Sequence, residues 1–338
     1  MTATTNEHRQ GLAFLDRIQP ILLLSAIVVG LALAKVAPTL AAKLTPLVTA
    51  GVFLVIYFIM LGVSTRGIMR AFTRWKPASL AIGINFLITP LIAWALGYLF
   101  LQNDPDIWVG LILYLVTPCI GWYLVFTELA KGDVELGVSL LFWNVVLQIV
   151  LLPVYMTLLA GTVVHIEITD MLRSVITFLV LPLALAAATR WLLGRFAISV
   201  EVATKKVGLT YLKAITLMIV IVAMFASQGA VLFENPSVVL KMILPGVAFF
   251  VIALLMAIVA ARLFRLSYPE FALLAFTITA RNSEASLAIA VTAFASPLVA
   301  LTVVIGPSIE LPLLILFLRI VLSMQQAKWF SKAHERSA

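Results

Sequence analysis

The sequence has one cysteine, three histidines and 15 acidic residues in 338 positions, and only 11% of its residues are charged. A single cysteine, Cys119, excludes a disulfide scaffold. Charge this sparse excludes a water-soluble domain, which carries about 25% charged residues. It also excludes a disordered chain. Every aspartate (Asp16, Asp104, Asp106, Asp133, Asp170) and every histidine (His8, His165, His334) falls in a tail or between apolar runs. An intramembrane enzyme built on paired aspartates, a Ser/His pair or a histidine-bound metal therefore has no material, and no cofactor is expected. A Walker phosphate-binding motif is absent as well, which removes ATP-driven transport by the chain itself.

What the chain does have is apolar length. Hydrophobic residues make up 63% of it, with a mean hydropathy of +1.14. A helix needs about 20 mostly apolar residues to cross the hydrocarbon core. Ten segments meet that length: 18–34, 44–64, 78–101, 107–127, 136–160, 171–193, 208–228, 240–261, 269–295 and 298–323. They are too long and too uniformly apolar for barrel strands, which alternate over about ten residues. The expectation is an all-α polytopic membrane protein. The first run follows a 17-residue polar head and precedes nine more spans, so it reads as a retained signal anchor.

Loop charge sets the expected orientation. Of the 23 Lys and Arg residues, Lys35, Lys43, Arg173 and Lys241 fall on one side and Arg281 lies within a span. The remaining eighteen fall on the other side, which makes the N-terminal tail (1–17) and the C-terminal tail (324–338) cytoplasmic. The net charge of +8 then needs no nucleic acid, because anionic lipid headgroups suffice as partners.

Ten spans divide into two sets of five, 18–160 and 171–323, and an odd number inverts the second copy. Thr117-Pro118-Cys119-Ile120 in span four maps onto Thr279-Ala280-Arg281-Asn282 in span nine at an offset of 162, and the same offset carries Gln148 to Glu310. Span four is interrupted by Pro118 and span nine by the polar run Thr279–Glu284. Broken backbone persists in a bilayer only where it lines a cavity or is buried in protein. A binding site at the repeat interface is the natural consequence.

Only Arg281, Glu284 and Glu310 are charged and inside spans away from their ends. Arg281 and Glu284, three residues apart, can form an internal ion pair; alternatively Arg281 mimics a bound cation or holds an anion. Glu310 has no basic residue within a helical turn and sits between Pro307 and Pro312, both read as breaking span ten. It is either a proton carrier or a protonated acid making one structural hydrogen bond. Cys119 is a small buried hydrophobe or, directly after Pro118, a soft ligand for a thiophilic substrate. Asn85 with Thr89, and Asn144 with Gln148, share helix faces; interhelical hydrogen bonds are their default and substrate ligation the alternative.

The segment from Thr117 to Asp133, with its cysteine and its Leu-Ala-Lys-Gly-Asp turn, resembles the fourth-helix motif of arsenite efflux permeases. Val304-Ile-Gly-Pro-Ser-Ile-Glu-Leu-Pro312 is similar to that family's tenth-helix motif, and Asn282–Val291 to its ninth-helix motif. These permeases share a superfamily with the bile acid:sodium symporters. The resemblance implies crossed, discontinuous helices four and nine, and a core of spans 3–5 and 8–10 moving against a panel of spans 1, 2, 6 and 7. It implies that arsenite or antimonite meets Cys119 and that Glu310 couples protons; Arg281, Asn282 and Glu284 are further candidate substrate contacts from their place at the interruption of span nine. The function expected is proton-coupled arsenite efflux across the plasma membrane; the alternative is bile acid symporter-like transport of an organic anion. A homodimer is one admissible assembly. The chain departs from the permeases at Ser283-Glu284, where they carry two asparagines, and at Gly121-Trp122-Tyr123. It departs from the sodium symporters at Thr277 and Arg281, where they carry a glutamate and a glutamine, and around Cys119-Ile120. An arginine repels a hard cation, so sodium coupling of the familiar type is not expected.

Overall fold

A computed structural model describes residues 21–62, 69, 73–161, 181–195, 207–294 and 296–326. The expected N-terminal tail, the chain beyond 326 and the first part of the expected sixth span lie outside the described residues. Among the described residues the regular structure is helical: α1 (Ile21–Val36), α2 (Thr45–Gly62), α3 (Trp75–Phe100), α4 (Pro105–Leu115), α5 (Trp122–Leu129), α6 (Val134–Ala160), α7 (Leu181–Arg195), α8 (Val207–Glu234), α9 (Pro236–Leu263), α10 (Tyr268–Thr279), α11 (Ser283–Ala293) and α12 (Pro297–Gln326). The one non-helical pairing among them is an isolated antiparallel bridge between Pro118 and Arg281. Five helices, within α3, α6, α8, α9 and α12, are long and apolar enough to cross a membrane. Large apolar side chains face outward, Leu87 at 70% and Leu240 at 69% exposure, while Asn85, Asn144 and Gln148 are buried. That inversion suits a lipid surround.

The chain divides into two compact units, Met1–Gly62 with Val180–Ala230, and Val63–Leu179 with Val231–Ala338. In the first, small residues bring α1 onto α8: a Cβ at Gly229 would lie 2.4 Å from the Ala34 methyl. Close packing of this kind drives helix association in lipid. Arg190 Nη1 donates to Met60 O (2.6 Å) and the Tyr57 and Thr189 hydroxyls are 2.9 Å apart, joining α2 to α7.

In the second unit, α3 contains a π-helical segment, Ile84–Ile88, just before Pro90. Pro90 removes the donor that Phe86 O would receive one turn on, and the Tyr155 hydroxyl of α6 takes its place. The Leu129-Ala-Lys-Gly-Asp133 segment is a turn. Lys131 takes a left-handed φ of 58°, Asp133 Oδ1 accepts from Leu136 N–H (3.0 Å) to cap α6, and Asp133 N–H donates to Pro269 O (3.0 Å). Arg74 forms ion pairs with both Asp133 and Glu270, and Glu270 closes a capping box with Ser267 at the start of α10. Three helix starts are thereby tied together.

Pro307 and Pro312 do not break a helix. α12 runs continuously through both. Each proline deletes one rung of the ladder, and the remaining rungs and the packing on α4, α9 and α11 hold the helix.

Candidate functional site

The segments expected as spans four and nine are each two half-helices, α4/α5 and α10/α11, and their breaks cross. Cys119 N–H donates to Ala280 O (3.2 Å) and Asn282 N–H donates to Thr117 O (2.9 Å), the two bonds of the Pro118–Arg281 bridge. The segments matched at an offset of 162 are the ones that pair.

A broken helix leaves orphan carbonyls at its C-terminal half and orphan N–H groups at the next half, and in a bilayer each needs a partner. At the end of α4, Leu113 O and Tyr114 O accept from Thr117 Oγ1 (3.1 and 2.9 Å), and Leu115 O accepts from Arg281 Nη1 (2.8 Å). At the end of α10, Thr277 O accepts from Asn85 Nδ2 (3.1 Å), Ile278 O from Arg281 Nη2, and Thr279 O from Arg281 Nε (3.3 Å). One guanidinium therefore satisfies three of these six carbonyls. Arg281 Nη2 also donates to Asn85 Oδ1 (3.1 Å), and its Cζ lies 5.1 Å from the centre of the Phe249 ring of α9. On the other side of the crossing, Cys119 Sγ accepts from Gly121 and Trp122 N–H at the start of α5 (3.4 and 3.2 Å). Asn282 Oδ1 caps α11 through Ala285 N–H (3.1 Å). Ser286 of α11 donates to Asn282 O (2.8 Å) and shares a hydroxyl–hydroxyl bond with Thr117.

Glu310 reaches the crossing from α12. Its Oε1 accepts from the Arg281 backbone N–H (2.9 Å) and its Oε2 from the Tyr114 hydroxyl. Both oxygens are engaged, as suits an ionised carboxylate, which is a pure acceptor. Glu310 thus accepts two hydrogen bonds, not the one of the purely structural alternative. The Cys119 backbone N–H is bonded to Ala280 O and the Glu310 carboxylate to the N–H of the next residue, Arg281, so both residues are tied to one short extended stretch of chain. Both are buried, at 4% and 2% exposure.

The crossing thus unites Cys119, Pro118, Arg281, Asn282 and Glu310, with Asn85 beside them. The Arg281 guanidinium gives its hydrogen bonds to carbonyl and amide oxygens, and the Glu284 side chain lies outside the described residues. Asn144 and Gln148 are buried, but all four polar atoms of their carboxamides lack a protein partner, as do the Thr89 and Thr277 hydroxyls. The interhelical bonds expected of Asn144, Gln148 and Thr89 are not made; buried amides without protein partners are places that water or a polar ligand satisfies. Tyr114, Thr117 and Ser286 are site residues that the sequence does not announce. A tyrosine in an apolar run reads as core or interface, and hydroxyls bond their own helix by default.

The family model for the sodium bile acid symporter family matches residues 49–235. The arsenical-resistance protein Acr3 of Corynebacterium glutamicum is 26% identical over 326 residues, covering 90% of this chain and 88% of that protein. The uncharacterised protein YbaS of Bacillus subtilis is 30% identical over 249 residues, 73% of this chain and 79% of that one. The arsenical-resistance protein Acr3 of Alkaliphilus metalliredigens is 24% identical over 357 residues, 95% of each chain.

Proposed function

The chain belongs to the sodium bile acid symporter family, and on that premise we propose that it exports arsenite or antimonite in exchange for protons. It is a multi-pass membrane transporter and not an enzyme. The observation that carries the narrower reading is the crossing itself, where the backbone N–H of Cys119, which bears the chain's one thiol, donates to Ala280 O and the buried Glu310 carboxylate accepts from the next residue's N–H, Arg281. The arsenical-resistance names of two relatives support the same substrate.

Arsenite at neutral pH is an uncharged trivalent hydroxide. The Cys119 thiol displaces one hydroxide as water and forms one S–As bond, with no change of oxidation state. Water reverses the step, so the substrate leaves again. Three thiolates would hold it too tightly for transport. Glu310 supplies the coupling. A proton on Glu310 discharges the carboxylate and weakens it as an acceptor, and the Arg281 N–H, a pure donor, cannot reverse as the Tyr114 hydroxyl can, so protonation loosens one of two bonds that pin α12 to the crossing. Arg281, Asn282 and Glu284 border the substrate path.

The larger plan follows: ten spans in two inverted five-helix repeats, with a core of spans 3–5 and 8–10 rocking against a panel of spans 1, 2, 6 and 7. The division into two compact units along those groups supports it. Both tails are cytoplasmic, the membrane is the plasma membrane, and anionic lipids contact the basic loops.

Flux into everted vesicles tests the proposal, with arsenite, antimonite and a bile-acid-like anion each under proton and sodium gradients. Proton-driven arsenite uptake is expected, abolished in Cys119→Ser and uncoupled from pH in Glu310→Gln. Movement of an organic anion under a sodium gradient alone would overturn it.

A further inference from the structure

Arg281 is 1% exposed and is the largest fully buried side chain among the described residues, yet its guanidinium hydrogen-bonds to no carboxylate among them; the nearby Glu310 carboxylate takes the Arg281 backbone N–H instead. Burying a cation in a bilayer costs several kcal/mol unless something replaces the water that hydrogen-bonds it. Four oxygens do so here: Leu115 O from the end of α4, Ile278 O and Thr279 O from the end of α10, and Asn85 Oδ1 from the π segment of α3. The Phe249 ring closes a fifth side. Carbonyls at the C-terminal ends of two half-helices carry the negative ends of their dipoles, and a ring of such oxygens is how proteins strip and hold a dehydrated monovalent cation.

We propose that this pocket is a cation site whose occupant is built into the chain: the Arg281 guanidinium is a tethered monovalent cation that holds the C-terminal ends of α4 and α10 together. Arg281 is then a positioning residue and not a substrate ligand. Its backbone N–H fixes Glu310 while its side chain fixes the two half-helix ends, so one residue joins the carboxyl to the crossing. No soluble inorganic cation is needed at this locus. This inference does not rest on the arsenite reading, and it holds for any substrate.

The chemistry predicts rescue. Arg281→Ala removes the cation and leaves three backbone carbonyls without donors, so the melting temperature of the detergent-purified full-length protein should fall by roughly 5–10 °C. Guanidinium chloride at low millimolar concentration, at constant ionic strength, should restore most of that loss along a saturable curve. Sodium or potassium should restore part, choline none, and the wild type should respond to none of them. Absence of saturable rescue by guanidinium or by sodium or potassium overturns the proposal. If Arg281→Ala does not accumulate, Arg281→Lys and Arg281→Gln decide: Lys keeps the charge and should stay within a few degrees of wild type, whereas Gln keeps donors without charge and should not. Gln as stable as wild type would also overturn it, because hydrogen bonding alone would then suffice. None of these measurements involves arsenite flux, so their failure and that of the transport reading are separable.

Discussion

Gly306 lies one helical turn before Glu310 on α12, and the Tyr114 ring crosses it so closely that a Cβ there would fall 2.5 Å from the ring. A ring carbon cannot yield as a flexible chain end can, so Gly306→Ala must push Tyr114 off its line to Glu310. Tyr114→Phe removes the same bond without moving the ring and leaves a buried carboxylate one donor short, costing about 1–3 kcal/mol. Because both substitutions act through one bond, the double variant should be less destabilised than the sum of the two. Full additivity in thermal unfolding would show that Gly306 and Tyr114 act independently. At this scale much of the site was legible: Cys119, Arg281, Asn282 and Glu310 stand out because thiol, charge and amide are rare in apolar runs. Tyr114 was not legible, because its role depends on a glycine nearly two hundred residues away that gives its ring room.

The breaks in spans four and nine could be read from Pro118 and from the polar run around Arg281, since both interrupt otherwise apolar helices. The prolines of span ten and the π segment of span three could not. Whether a proline breaks, kinks or merely loosens a helix depends on what reaches the freed carbonyl, and for Pro90 that partner is Tyr155 on another helix. The Asp133 turn shows how an apparent motif is helix-end chemistry. Asp133 caps α6 and, through Arg74, joins the starts of α3, α6 and α10. Arg74 is 40% exposed, so the ion pair is screened and contributes little beside the cap. Asp133→Ala should therefore cost about 1–2 kcal/mol. Asp133→Asn, which keeps a good cap and loses the charge, should cost less than half of that. Equal losses for the two variants in thermal unfolding would mean that the charge and not the cap holds the turn.

For the whole molecule, composition alone identified a membrane protein, because 38 charges cannot clothe a soluble chain of this size. The grouping of helices into two units was not legible from periodicity, since each unit takes two separate stretches of the chain and only packing reveals which stretches join. Orientation stays a matter of charge. With eighteen of the 23 basic residues expected on one side, the positive-inside rule predicts both tails in the cytoplasm. That orientation predicts that the turn at Gln102–Asp104 and the α8–α9 junction at Asn235 face outward, whereas the Lys131 turn faces inward. An aromatic cluster of Trp94, Tyr98 and Trp108 flanks the first of these, as an outer interfacial belt would. Alkaline phosphatase fused after residue 103 or 235 should be active, and fused after residue 131 or at the C-terminus it should be inactive. A fluorescent protein at the C-terminus should fold and fluoresce, since that barrel matures in the cytoplasm and fails outside it. An active phosphatase at the C-terminus would invert the molecule. Under the proposed arsenite transport, the substrate would then enter the crossing from the opposite face, and the proposed direction of export would have to be reversed with it.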